Sequence, residues 1–86
     1  MAVAGSRVTV STTAVALNTA DVGGQTLVVK NTDGSNGADL GDSSVTAGAG
    51  YSLAAGATVT VELDAGDVLY AIRSDAADVD LAVLRT

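Results

Sequence analysis

The chain has 86 residues, and ten acidic side chains against four basic ones give it a formal net charge of −6. It contains no Cys, His, Pro, Trp or Phe and only two Tyr. This length sets a ceiling of one domain. The missing residue types exclude a disulfide framework, a thiol nucleophile, an imidazole base and zinc sites of the usual kinds.

Residues 1–7 lack the basic start and long apolar stretch of a signal peptide, and residues 1–6 read as a flexible N-terminal arm ahead of a β domain over 7–86. The first strand is expected at 7–11, where Arg7, Thr9 and Ser11 alternate with Val8 and Val10, and a short apolar piece follows at 14–17. A turn at Val22, Gly23 and Gly24 leads into the compact apolar run 25–30. Residues 31–37 hold both an Asp-Gly and an Asn-Gly pair, which tolerate positive φ in tight turns. Gly48, Gly50 and Gly56 bracket a short strand at 51–53.

Over 58–64, Val59, Val61 and Leu63 alternate strictly with Thr58, Thr60, Glu62 and Asp64. Residues 67–73 form a nearly continuous apolar run, and the tight connection 64–67 predicts a hairpin between these two strands. A helix over 74–85 with Ser74 as its N-cap would set Asp80 beside its apolar face. Period two instead gathers Val79, Leu81 and Val83, so a turn over 74–78 and a last strand over 79–85 are expected. The result is an all-β fold, a small single-domain antiparallel β-sandwich or barrel of about seven to eight strands.

No apolar run approaches the roughly 20 residues of a membrane span, so the protein is expected to be soluble, made in the cytoplasm, with no membrane partner. A single core in so short a chain leaves on the order of 3–5 kcal/mol and usually needs a staple. With neither disulfide nor evident metal, association with other copies or a larger partner is the staple expected. Nucleic acid is excluded by charge: only Arg7, Lys30, Arg73 and Arg85 could neutralise phosphates, and they are widely spaced.

The residues that could carry chemistry are few. Thr46 to Tyr51 is Gly-rich, but no Lys-Ser/Thr closes the loop and the third-Gly position of a dinucleotide fingerprint holds Leu53. Asn31, Asp33, Ser35, Asn36, Asp39 and Asp42 offer oxygens to Ca²⁺, yet the Gly and Glu of an EF-hand loop are missing in either register. A cluster of Asx turns is the reading preferred there. Asp64 with Asp67, and Asp78 with Asp80, fall at turns and on the polar side of strands, where solvated acids are expected. Ser and Thr lack a His or thiol companion, so no enzyme, cofactor or metal is expected. Tyr70, inside the run 68–72, is expected in the core with its hydroxyl bonded at an edge. Tyr51, Arg7, Arg73 and Arg85 are the candidate contact residues, because interfaces favour Tyr and Arg. Val3 joins them from the arm.

Taken in order, the segments form a pattern: Val8-Thr9-Val10, Leu27-Val28-Val29-Lys30-Asn31, Ala38-Asp39-Leu40-Gly41, Ser44-Val45-Thr46, Gly50-Tyr51-Ser52-Leu53-Ala54-Ala55-Gly56, Asp67-Val68-Leu69-Tyr70-Ala71 and Val83-Leu84-Arg85. Across nearly the whole chain this resembles small β-sandwich proteins of tailed bacteriophages, especially those infecting actinobacteria. The likeness rests on turn and strand patterns; where many relatives carry an aromatic, this chain has Asp39. The resemblance implies a capsid decoration (cement) protein on the outside of the virion, assembled in the host cytoplasm. Its partners would be the major capsid protein and its own copies, preferably as a trimer, with the arm reaching onto the shell. A tail or fibre domain, or a carbohydrate-binding module, are the alternative expectations; the latter usually needs more aromatic platforms than two Tyr supply.

Overall fold

Alternating β-branched and polar residues, uninterrupted by Pro, give each extended run one face for a core and one for water. The computed structural model describes residues 4–18, 25–64, 66–75 and 77–85. In it these runs form eight strands: β1 (Ala4–Val10), β2 (Val15–Ala16), β3 (Gln25–Asn31), β4 (Ala38–Gly41), β5 (Tyr51–Leu53), β6 (Thr58–Leu63), β7 (Tyr70–Arg73) and β8 (Val79–Arg85). No described residue is helical. One four-stranded sheet runs β1-β8-β3-β6 and the other β2-β7-β4-β5, with every pairing antiparallel. The two face one another across a shared core, so of the sandwich and the barrel that the strand pattern allowed, the chain forms the sandwich.

The register decides which side chains enter that core. In the first sheet Val10, Leu27, Val29, Val79, Leu81 and Val83 point inward, with Val59 and Leu63 of β6 packed at the margin. The second sheet supplies Ala38, Leu40, Leu53 and Ala71, with Leu17 beside β2. Full burial of such a Val or Leu side chain contributes about 1.5–3 kcal/mol. The cluster is wholly aliphatic.

Several details differ from the sequence reading. β1 begins at Ala4, with Ala4, Gly5 and Ser6 opposite Arg85, Leu84 and Val83, so residues 4–6 of the expected arm are strand. Residues 1–3, Val3 among them, and the expected turn at 22–24 lie outside the described residues. The hairpin expected at 64–67 does not form. The turn closes, with Asp67 N–H donating to the Asp64 carbonyl at 3.1 Å, but β6 pairs with β3 while β7 pairs with β2 and β4. A tight turn can hand the chain from one sheet to the other as readily as reverse it within one.

β7 also begins at Tyr70 rather than Asp67. Residues 67–69 bond instead to the segment after β2: Leu17 N–H donates to the Leu69 carbonyl at 2.8 Å, and Asn18 Oδ1 accepts from Leu69 N–H at 2.7 Å. Asn18 Nδ2 donates to the Asp67 carbonyl at 2.9 Å. Tyr70 is not a core residue. It stands opposite Gly41 and Ala16, on the face turned away from the one that Ala71 and Leu40 share, and it is half-buried. β8 forms as the period-two reading predicted.

Candidate functional site

The outward side of the first sheet is an open surface. Strand alternation places Gly5 and Arg7 of β1, Asp80, Ala82 and Leu84 of β8, Val28 and Lys30 of β3 and Glu62 of β6 on this side, opposite in parity to the core residues. Gly5 faces Leu84, which faces Val28; Arg7 faces Ala82, which faces Lys30. Small residues beside a large one make the surface uneven. Leu84 stands up with 41% of its surface exposed, while Gly5 and Ala82 help to line a shallow depression of about 460 Å³. A Cβ added at Gly5 would touch nothing within 4 Å.

Charge on this face is balanced. Arg7 and Lys30 offset Asp80 and Glu62, so the chain's net charge of −6 is carried elsewhere. Arg7 Nη1 bonds Asp80 Oδ2 at 2.9 Å, with both side chains well exposed. Such a pair contributes about 0–1 kcal/mol to stability. Its local effect is to hold the guanidinium beside the depression.

The outward side of the second sheet is buried at its centre, at Asp39 of β4 and Ile72 of β7, while Ala16 and Ser52 on its edge strands stay exposed. Asp39 and Ile72 face one another there, on the side away from Leu40 and Ala71, yet they are only 2% and 7% exposed. Loop 42–50 folds back over β4. The Gly48 N–H donates to Asp39 Oδ2. Gly50 comes so close that a Cβ there would lie 2.6 Å from the Leu40 carbonyl and 3.0 Å from the Asp39 Cβ. Only glycine permits that approach without displacement. Gly48 itself has φ +80°, where glycine is also preferred.

The loop considered for Ca²⁺ spends its oxygens on its own backbone. Asp33 Oδ1 accepts from Ser35 N–H at 2.8 Å, from Asn36 N–H at 2.9 Å and from Asn36 Nδ2 at 3.3 Å. These bonds, the backbone ones foremost, hold its carboxyl below the ordinary carboxylate pKa. Asp42 Oδ1 accepts from Ser44 N–H at 2.9 Å. Asn31 is fully buried. Its Nδ2 donates to the Asn36 carbonyl at 2.8 Å and the Leu53 carbonyl at 3.2 Å, and its Oδ1 accepts from Asp33 N–H at 2.9 Å. One side chain thus ties β3, the loop and β5 together. Among the described residues, no three His, Cys, Asp or Glu side chains converge as a metal site.

The acid pairs have partners of their own as well. Asp67 Oδ2 accepts from Asp64 N–H at 3.2 Å. Asp78 bonds Arg73 Nη1 at 2.7 Å, and Asp80 bonds Arg7.

The candidate contact residues are not brought to one place. Arg7 lies on the open face of the first sheet. Arg73 bonds Asp78, and its backbone N–H donates to the Ser11 carbonyl at 3.1 Å. Arg85 ends β8, half-buried, opposite Ala4 and Leu27. Tyr51, 64% exposed, begins β5 at the edge of the second sheet. It lines an apolar cleft of about 370 Å³ with Leu40, Gly41, Val59, Val61 and Leu69, where the free edges of the two sheets open. Val28, Ala82 and Leu84 were missed as surface residues. Their signal was present in the sequence: Leu27-Val28-Val29 and Val83-Leu84 set an apolar residue at an outward position, breaking strict alternation.

Comparison of the chain with protein-family models, with curated proteins and with solved structures finds no match.

Proposed function

We propose that this protein is a non-enzymatic structural component of a phage virion, a capsid decoration (cement) protein that docks on the outside of the assembled head. The major capsid protein is its partner, and many copies bridge neighbouring shell subunits. The observation that carries this reading is the outward face of the first sheet. In an acidic molecule it is charge-balanced, centred on the exposed Leu84 and recessed beside it. An uneven apolar centre with charges around it is the usual anatomy of a protein-binding patch.

Contacts made only with the mature shell stabilise that shell by mass action. The test is co-sedimentation of the purified protein with expanded, undecorated capsids of the phage that encodes it, with calorimetry of the decorated particles. Saturable binding in many copies, with a raised capsid melting temperature, is the expected result. Absence of binding, with only a few copies in purified virions, contradicts it and favours a tail or fibre position.

A further inference from the structure

A sandwich of two open sheets has four edge strands, and here they are unequal. In the second sheet the edges β2 and β5 are two and three residues long, too short to template a partner strand. In the first sheet the edges are β1 and β6. β1 has Arg7 at its centre, so antiparallel pairing of that strand with its own copy, centred there, sets like charges opposite. β6 is six residues of alternating Thr and Val ending in Glu62 and Leu63. It has no Pro, no inward-pointing charge and no Lys, the devices that usually block an edge.

We propose that β6 is a self-association edge, pairing antiparallel with β6 of a second copy about a two-fold axis at Thr60 and joining two first sheets into one continuous sheet. The backbone parity allows it. Asn31 N–H donates to the Ala57 carbonyl at 2.9 Å, and Asn31 follows Lys30, whose partner is Thr58. By antiparallel alternation the odd residues of β6 therefore bond to β3, and Thr58, Thr60 and Glu62 turn their N–H and C=O groups to the free edge. With Thr60 opposite Thr60 of the copy, those same groups meet as hydrogen-bonded pairs.

The occupant is argued from charge. In this register Glu62 of one copy lies opposite Thr58 of the other. Thr58 is flanked on its far side by Lys30 of its own chain. Glu62 and Lys30 of the other copy are then two strand spacings apart, about 9.5 Å between backbones, on the same outward face and within reach of one another across a threonine. Symmetry makes this contact twice. Neither Glu62 nor Lys30 has an ion-pair partner among the described residues, and the β3–β6 register separates them within one chain. On the inward face Val59 meets Val61 of the copy, extending the apolar layer where the cleft beside Tyr51 opens. Two identical antiparallel edges satisfy each other about a two-fold axis, so the unit is a dimer rather than the trimer expected from the resemblance.

The inference does not depend on capsid binding, and its test is separate. Sedimentation velocity of the whole protein across the micromolar range should give a species of twice the 8.3 kDa chain mass. Glu62→Lys alone and Lys30→Glu alone should each weaken the dimer at least tenfold. The double exchange should restore it, with circular dichroism unchanged throughout. Thr60→Pro, which removes an outward N–H, should leave a folded monomer. A monomer at every concentration, a trimer, or a dimer indifferent to both the charge reversals and Thr60→Pro would overturn the proposal. A dimer that fails to bind capsids removes the functional reading and leaves this one standing.

Discussion

The two sheets are alike in strand number and opposite in what they do with their outward sides. The second sheet is covered at β4 by its own chain: loop 42–50 lies on that strand, fastened by the Gly48 N–H to Asp39 and admitted by the missing side chain of Gly50. The first sheet is left open, with Leu84 exposed in a charge-balanced surroundings. An outward residue such as Ile72 serves the fold when the chain covers it. An outward residue such as Leu84, left partly exposed, is free to serve a partner. Substitutions on the two sides should therefore separate stability from binding.

The largest effect is expected at Asn31, whose side chain holds the loop before β4 against β5. Asn31→Ala leaves the Asn36 and Leu53 carbonyls and the Asp33 N–H without that partner and should cost about 3 kcal/mol in urea unfolding. Next is the face covered at β4. Gly50→Ala puts a methyl group 2.6 Å from the Leu40 carbonyl and should destabilise by about 1–3 kcal/mol. The control is Gly5→Ala on the open face, where a Cβ meets nothing within 4 Å; its unfolding free energy should change by no more than about 0.5 kcal/mol. Equal losses at Gly50 and Gly5 would break the contrast between the faces.

The smallest effect is a pH dependence at Asp33. Backbone N–H bonds lower its pKa from the ordinary 3.8 in the folded protein, so the fold prefers the carboxylate. Its contribution is present above the ordinary value and is lost as pH falls through 3.8 towards the lower folded pKa. The melting temperatures of wild type and Asp33→Ala should differ at neutral pH and converge in acid. A gap that widened on acidification would contradict the assignment of these bonds to the ionised form.

The strands most legible in the sequence were those with one buried face. β6 and β8 could be read from period two alone, because a single shift of register would turn every valine outward. The sheet to which a strand belonged was not legible. The turn after β6 has the chemistry of a hairpin, and only the pairing of β6 with β3 shows that the chain changes sheets there. Nor was the start of β7, because apolar residues 68 and 69 read as strand whether their backbone bonds to a sheet or to the loop at Leu17 and Asn18. Asn31 and Asp39 read as members of a cluster of Asx turns. Their burial depends on segments folding back from elsewhere in the chain, which no local pattern carries. On the candidate surface Arg7 could be picked out as an exposed strand residue; period two over 79–85 also sets Leu84 opposite in parity to Val79, Leu81 and Val83, whereas the continuous run 27–29 gave no such sign for Val28.

In the proposed function the open face of the first sheet binds while the rest of the molecule holds the fold. Leu84→Thr tests it most directly, because threonine suits a strand and removes the exposed apolar centre. Thermal unfolding and co-sedimentation with expanded capsids should be measured on the same preparation. The variant should keep an unfolding free energy within about 0.5 kcal/mol of wild type and lose at least tenfold in capsid affinity. Undiminished capsid binding by a folded Leu84→Thr variant would contradict the proposed function.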